Sequence, residues 1–481
     1  MLIGNFRIFF LGVLFLGFSS TGLWAAAAPT KTDVVVVGAG LSGMATAYAL
    51  KKAGIPYHIL EIAPRVGGRV RTVRYSRKEE PDLSADSGME EYWESNPAVK
   101  ILKELKLPIT SDTALSSLML EKKLYTLGDE TPAEFKKKIF NESELKEVRK
   151  FQERVGLMIK QLSPERLPPA ELLKLKDISF AEYLKSQNLP SKVSEWIRVS
   201  IECEIGSQAE RISALDGIAE FHIFLGDGEA CYRVEGGNDR FTEAFADSIG
   251  RQHLSLNKRV TRIVTKNDKV TVNYLDLDSN TNATIEAKHV VSTIPLYRLF
   301  EVQFEPALSA QKWQAIQSMG WGAYFKAHIF VPRSAEKYWT KAGASILPIL
   351  SDSELGVIYD GNLTYTGKTK IISLLVHGAM ADVYNMMPLD QVRAQIYAGF
   401  EKLWPGFTKE ILDIEFYRIH PRAIAAWGPG RSRFDELSLA IRQPENRVYL
   451  AGDFTETSHS DGAFISAARV VKQIEALESK R

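Results

Sequence analysis

Four consecutive valines, Val34 to Val37, run directly into Gly38-Ala39-Gly40-Leu41-Ser42-Gly43, and no other stretch restricts the fold as tightly. An apolar run without polar alternation is what a strand covered on both faces requires, as in a parallel sheet. Gly38 allows a tight turn. Gly40 lets the backbone approach a pyrophosphate, and Gly43 lets the following helix pack close to the strand. The helix is expected over residues 41–52, closed by Gly54 and Pro56. A second strand, Tyr57 to Glu61, ends in an acid placed to accept hydrogen bonds from a ribose hydroxyl. A lone glycine pattern is weak, but strand, turn, helix, strand and acid in order do not read as an ordinary loop.

The next residues, Arg65-Val66-Gly67-Gly68-Arg69-Val70-Arg71-Thr72, mix glycines with arginines. Guanidinium forks suit phosphate oxygens, and adjacent glycines let the backbone come near. Near the other end, Val448-Tyr449-Leu450-Ala451-Gly452-Asp453 is a further apolar strand ending in Gly-Asp, with a helix expected after it. If both ends close on one long ligand, that ligand is FAD rather than NAD.

The length of 481 residues suits two or three domain-sized units. A formal net charge of +1 gives no reason to expect a nucleic acid partner. The opening residues read as an export signal: Arg7 is the positive flank, Ile8 to Phe18 the apolar run, and Ala25-Ala26-Ala27 the small residues for cleavage before Ala28. An uncleaved N-terminal anchor is the alternative, and only then is a membrane a partner. The expected location is therefore periplasmic or secreted. Two cysteines, Cys203 and Cys231, leave open whether they bridge. No Cys-x-x-Cys pair or histidine spacing suits a metal.

The fold class expected is α/β, with a Rossmann-like FAD-binding domain that is discontinuous and an inserted α+β substrate-binding domain. The divisions are 32–96, 220–300 and 420–481 for the first, and 97–219 and 301–419 for the second, after the leader over 1–28. Helices are expected over 97–105, 142–162, 191–204, 240–248 and 391–403. Residues 256–265 and 270–275 form a hairpin around Asn267-Asp268. Strands are expected over 289–295, 324–331, 346–350 and 370–377.

On these residues the chain resembles the flavin-containing amine oxidase family. The resemblance rests on Gly38-Ala39-Gly40-Leu41-Ser42-Gly43, Glu61, Val66-Gly67-Gly68-Arg69, Val234-Glu235-Gly236-Gly237, Ala451-Gly452-Asp453 and Asp461-Gly462-Ala463. It implies a two-domain fold, bound FAD and oxidation of a carbon–nitrogen bond. It also implies roles. Glu61 would hold the adenosine ribose, Arg69 would sit by the phosphates and flavin, and the Gly88-Met89 segment would run beside the isoalloxazine. Val260 would meet the adenine, and Asp453 the pyrophosphate and ribityl chain. Lys326, in Tyr324-Phe325-Lys326-Ala327-His328, resembles the family lysine that holds a water against flavin N5. Strand alternation puts Tyr324, Lys326 and His328 on one face, as a wet pocket wall.

The terminal helix, capped by Asp461, would aim the N–H groups of Gly462 and Ala463 at the flavin's N1–C2 carbonyl edge, where the helix dipole favours negative charge. Trp427 matches the family tryptophan before the first of two flanking rings, but Gly428-Pro429-Gly430-Arg431 follows with no ring, and His459 holds the second ring's place. No cysteine lies near Trp427, which argues for non-covalent FAD. Oxidation needs a neutral amine close to the flavin, and an apolar pocket helps supply it. No acid–base pair stands out. The expected substrate is a small amine, with oxygen or a redox partner as electron acceptor. A desaturase or protoporphyrinogen-oxidase-like enzyme acting on carbon–carbon bonds, and a flavin-binding electron relay without its own substrate, are the alternatives.

Overall fold

The Val34–Val37 strand sits in the middle of a five-stranded sheet with all four of its residues buried. The computed structural model of the protein describes residues 30–75, 79–112, 116–128, 130–225 and 229–479; the expected export segment over 1–28 lies outside them. Across the sheet the order is Leu254–Ser255, Tyr57–Leu60, Val34–Val37, His289–Ser292 and Val448–Leu450, and every pairing is parallel. Alternate valines explain the missing polar alternation. Val34 and Val36 pack with Phe464, Val470 and Ile474 of the terminal helix. Val35 and Val37 pack on the other face with Val260, Ile263 and Leu450.

The helix Leu41–Lys52 follows the turn as expected and lies against the terminal helix Ser460–Glu478. Two glycines are irreplaceable on geometry. Gly38 has φ +107°, and a Cβ there would meet Thr293 Oγ1 at 2.4 Å. A Cβ on Gly43 would lie 1.9 Å from the Gly38 carbonyl oxygen.

The Lys258–Lys266 and Lys269–Asp276 strands make the expected hairpin, turning at Asn267 and Asp268 with φ of 49° and 61°. A seven-stranded sheet is built around Tyr324–Pro332, Thr369–His377 and Val357–Asp360. It recruits Ser117–Leu120 and Lys123–Tyr125 from a stretch whose sequence reads mainly as helix. Neither cysteine forms a disulfide. No described helix is long and apolar enough to cross a membrane, and no described cluster of three or more His, Cys, Asp or Glu could hold a metal.

Candidate active site

A cavity of about 600 Å³ lies between the two large sheets. Its first wall is made where the parallel strands end: Gly38 and Gly40 after the first, Glu61 after the second, Thr293 after the fourth, Gly452 and Asp453 after the fifth. Ligands of open α/β sheets bind at such carboxyl ends. Its second wall comes from the seven-stranded sheet, with Tyr324, Leu350, Val357, Tyr359 and Leu375. One wall is therefore backbone-rich and the other apolar with phenol rings.

The first wall fits a dinucleotide. The helix Leu41–Lys52 begins at Gly40 with no side chain capping it, so its first N–H groups are left for a ligand, and Gly40, Leu41 and Ser42 line the cavity. Glu61 is 8% exposed. One carboxylate oxygen accepts from Ala39 N at 2.6 Å and the other from Ala63 N at 2.8 Å, so the acid fixes the glycine turn while facing the cavity. Arg69 grips Asp453 with both arms, one at 2.8 Å, and also donates to the Ala423 carbonyl. This pair joins the two ends of the chain on the cavity wall. Gly68, Gly88, Met89, Val260 and Ala463 line it too.

Gly43 and Gly462 are not on the wall but shape it. A Cβ on Gly462 would lie 2.6 Å from Thr457 Oγ1. The terminal helix starts two residues earlier than the sequence suggests: its N-cap is His459, with no capping side chain. Asp461 is not the cap; it accepts from Thr457 Oγ1 at 2.8 Å instead, which turns its charge back toward the loop.

Lys326 and Trp427 lie behind the wall rather than on it. Lys326 is wholly buried. It donates to the carbonyls of Asp86 and Gly88, both at 2.8 Å, and to the Glu90 carboxylate. An ammonium has three protons, and all three go to the 86–90 segment, so the expected wet face is wet only at Tyr324. His328 is equally buried: burial, then the Lys326 charge, lower its imidazole to about 3. Trp427 is 1% exposed, packed under the Arg433 guanidinium at 5.2 Å, in the core shared with Phe454.

His459 does reach the cavity, and it brings chemistry that the sequence does not display. Its Nε2 binds the carboxylate of Glu220. Glu220 is fully buried and also accepts from Arg433 at 2.8 Å. Burial opposes the imidazolium, but Glu220, joined by Glu204 and Asp461, outweighs it and raises His459 to about 9. His459 and Arg433 hold the Glu220 carboxyl well below its usual range despite burial. Glu204 also lines the cavity, and above all burial pushes its carboxyl up to about 7. Sequence reasoning missed Glu204 and Glu220 because they sit in helices far from any motif.

The pair makes stability pH-dependent. A group whose folded value stands above its unfolded one stabilises fully below the unfolded value, 6.5 for His459, and loses that as pH rises through the folded value. The melting temperature should therefore fall between about pH 6.5 and 9. His459→Gln should flatten that fall, as read by thermal unfolding across the range.

Comparison with known proteins places the chain among related sequences and structures. Residues 41–475 match the model of the family described as flavin containing amine oxidoreductase. The probable flavin-containing monoamine oxidase A of Dictyostelium discoideum is 25% identical, over 92% of this chain and 98% of that protein. The L-amino-acid oxidase of Sistrurus catenatus edwardsii is 25% identical, over 92% and 86%. A putrescine oxidase structure, wild type bound to putrescine, superposes with a TM-score of 0.77 at 22% identity, covering 93% of this chain and 99% of that one.

Proposed function

This chain belongs to the flavin-containing amine oxidoreductase family, and from that premise we propose that it binds FAD without a covalent link and oxidises a small amine to an imine, which water then hydrolyses. The observation that carries this reading is a cavity in which a dinucleotide-shaped wall faces an apolar, phenolic one. Bound flavin supplies the two-electron acceptor for the hydride leaving the amine's α-carbon.

The rest is the work of the chain. The turn at 38–43 offers N–H groups to the pyrophosphate, and Glu61 offers an acceptor to the ribose. Arg69, held by Asp453, keeps a positive fork at the wall where phosphate oxygens belong. Ala463, at the start of the uncapped terminal helix, puts positive N–H dipoles toward the edge where flavin gains charge. Lys326 clamps the 86–90 segment so that Gly88 and Met89 hold their place in the wall. Tyr324, Tyr359, Leu350 and Leu375 exclude water and favour the neutral amine.

We assign the nucleotide to 32–96, 220–300 and 420–481, and substrate contacts to 97–219 and 301–419. No cysteine follows Trp427 in the loop over 428–431, which supports a non-covalent flavin. Oxygen is the proposed acceptor. The apolar run Ile8 to Phe18 and the alanines at 25–27 support export, checked by N-terminal sequencing of the exported protein.

The test is spectroscopic. The purified protein should be yellow, and acid precipitation should release all the colour to the supernatant. Without oxygen, at least one primary amine from a panel that includes amino acids should bleach the flavin band. A yellow protein that no amine bleaches defeats the reading.

A further inference from the structure

Glu204 occupies the last turn of the helix Ser191–Ile205, which ends at Gly206 in the left-handed conformation. Glu204 lines the cavity, and its carboxylate accepts no hydrogen bond among the described residues; the Tyr324 hydroxyl reaches the Glu204 backbone carbonyl instead, at 2.8 Å. By contrast Glu90 is neutralised by Lys326 and accepts from Ser373, and Glu220 is tied to His459 and Arg433. Glu204 is thus an acid facing the cavity with its acceptor oxygens uncommitted.

We propose that Glu204 is the proton acceptor that converts the bound substrate from ammonium to free amine. The step is R–CH2–NH3+ with Glu204 carboxylate giving R–CH2–NH2 with Glu204 carboxylic acid. The N–H electron pair stays on nitrogen as the lone pair. That lone pair then forms the C=N bond as the α-hydrogen leaves with its own electron pair for the flavin, which is the oxidant. The inference rests on the amine-oxidising reading above.

The surroundings suit a base active near neutrality. The negative end of its own helix disfavours ionised Glu204. Above all burial raises its carboxyl, with Glu220 and Glu91 adding repulsion against the pull of His459, to about 7. The phenols of Tyr324 and Tyr359 and the thiol of Cys203 face it as well, and all three are pushed well above their ordinary values. They stay neutral and do not compete for the proton. Arg433 spends its Nη2 on Glu220 and its Nε on Asp216. A base works best with its own value near the working pH.

The test uses the flavin-loaded protein and two measurements. First, the α,α-dimethyl analogue of an amine that bleaches wild type cannot be oxidised, because it has no α-hydrogen. Its binding at about pH 8.5, above the value near 7, should raise a carboxylic acid C=O band in the infrared difference spectrum of wild type. That band should be missing from Glu204→Gln. Second, anaerobic bleaching by wild type should rise through about pH 7 and level off. In yellow Glu204→Gln it should be slower by about 100-fold or more at neutral pH and climb roughly tenfold per pH unit as free amine appears in solution. A wild-type spectrum without the band overturns the proposal even if the variant does not fold. So does a variant that keeps the wild-type rate and profile. If no amine bleaches wild type, the amine-oxidising reading fails first and the proposal falls with it.

Discussion

Lys326→Met should destabilise the fold by about 3–5 kcal/mol, the usual result of stripping one partner from a buried ion pair. Glu90, whose side chain is 7% exposed, would keep its charge without the ammonium. The Gly88 carbonyl would lose its donor as well, while the Asp86 carbonyl would keep only His328, and a buried acceptor left without a partner adds its own penalty. Adding Glu90→Gln should recover part of the loss, because the uncompensated charge goes with it. Urea unfolding midpoints at constant slope read both effects, and a single-variant loss under about 1 kcal/mol would contradict the account. Turnover should fall too, since the segment that relaxes carries Gly88 and Met89 into the cavity wall.

The second large effect is expected at Arg69. Its fork is the only described side-chain bridge from the glycine-rich start to Asp453, and Asp453 is 3% exposed. Arg69→Met would leave that carboxylate facing the place proposed for the phosphates. Charged hydrogen bonds contribute about 1.5–3 kcal/mol each, so affinity for FAD should drop by roughly 10- to 100-fold. Titrating stripped protein with FAD, followed by fluorescence quenching, measures it. The Arg69→Lys variant should recover little, because a point charge cannot hold both carboxylate oxygens in the fork geometry. Unchanged affinity in Arg69→Met would remove Arg69 from the cofactor site.

The parts of this molecule legible in its sequence are those governed by local rules. The valine run, the turn glycines, Glu61 and the terminal Gly-Asp each announce a backbone requirement within a few residues, and the structure brings them to one sheet end. The hairpin at Asn267-Asp268 is legible for the same reason. Non-local facts were not. Ser117–Leu120 joins the seven-stranded sheet only because Ile349–Leu350 lies ready to pair with it, more than two hundred residues away. Lys326 shows strand alternation faithfully, yet alternation cannot say whether a polar face meets water or a segment such as 86–90. His459 was visible by its offset from Gly462, but its partner Glu220 comes from a distant helix, so the imidazolium it becomes was invisible. Glu204 looks in sequence like any acid on a helix; only the cavity distinguishes it.

The parallel sheet draws its outermost strand from Val448–Leu450, which pairs with His289–Ser292, and the helix after it packs back on Leu41–Lys52. A ribosome must therefore pass residue 450 before the cradle gains its last side. Contacts spanning such long separations slow folding, and half-made intermediates leave sheet edges open to aggregation. Vitamin supply during synthesis can rescue the chain only at that final closure, so riboflavin starvation should show as misfolded product that already contains Val448–Leu450 rather than as stalled early fragments.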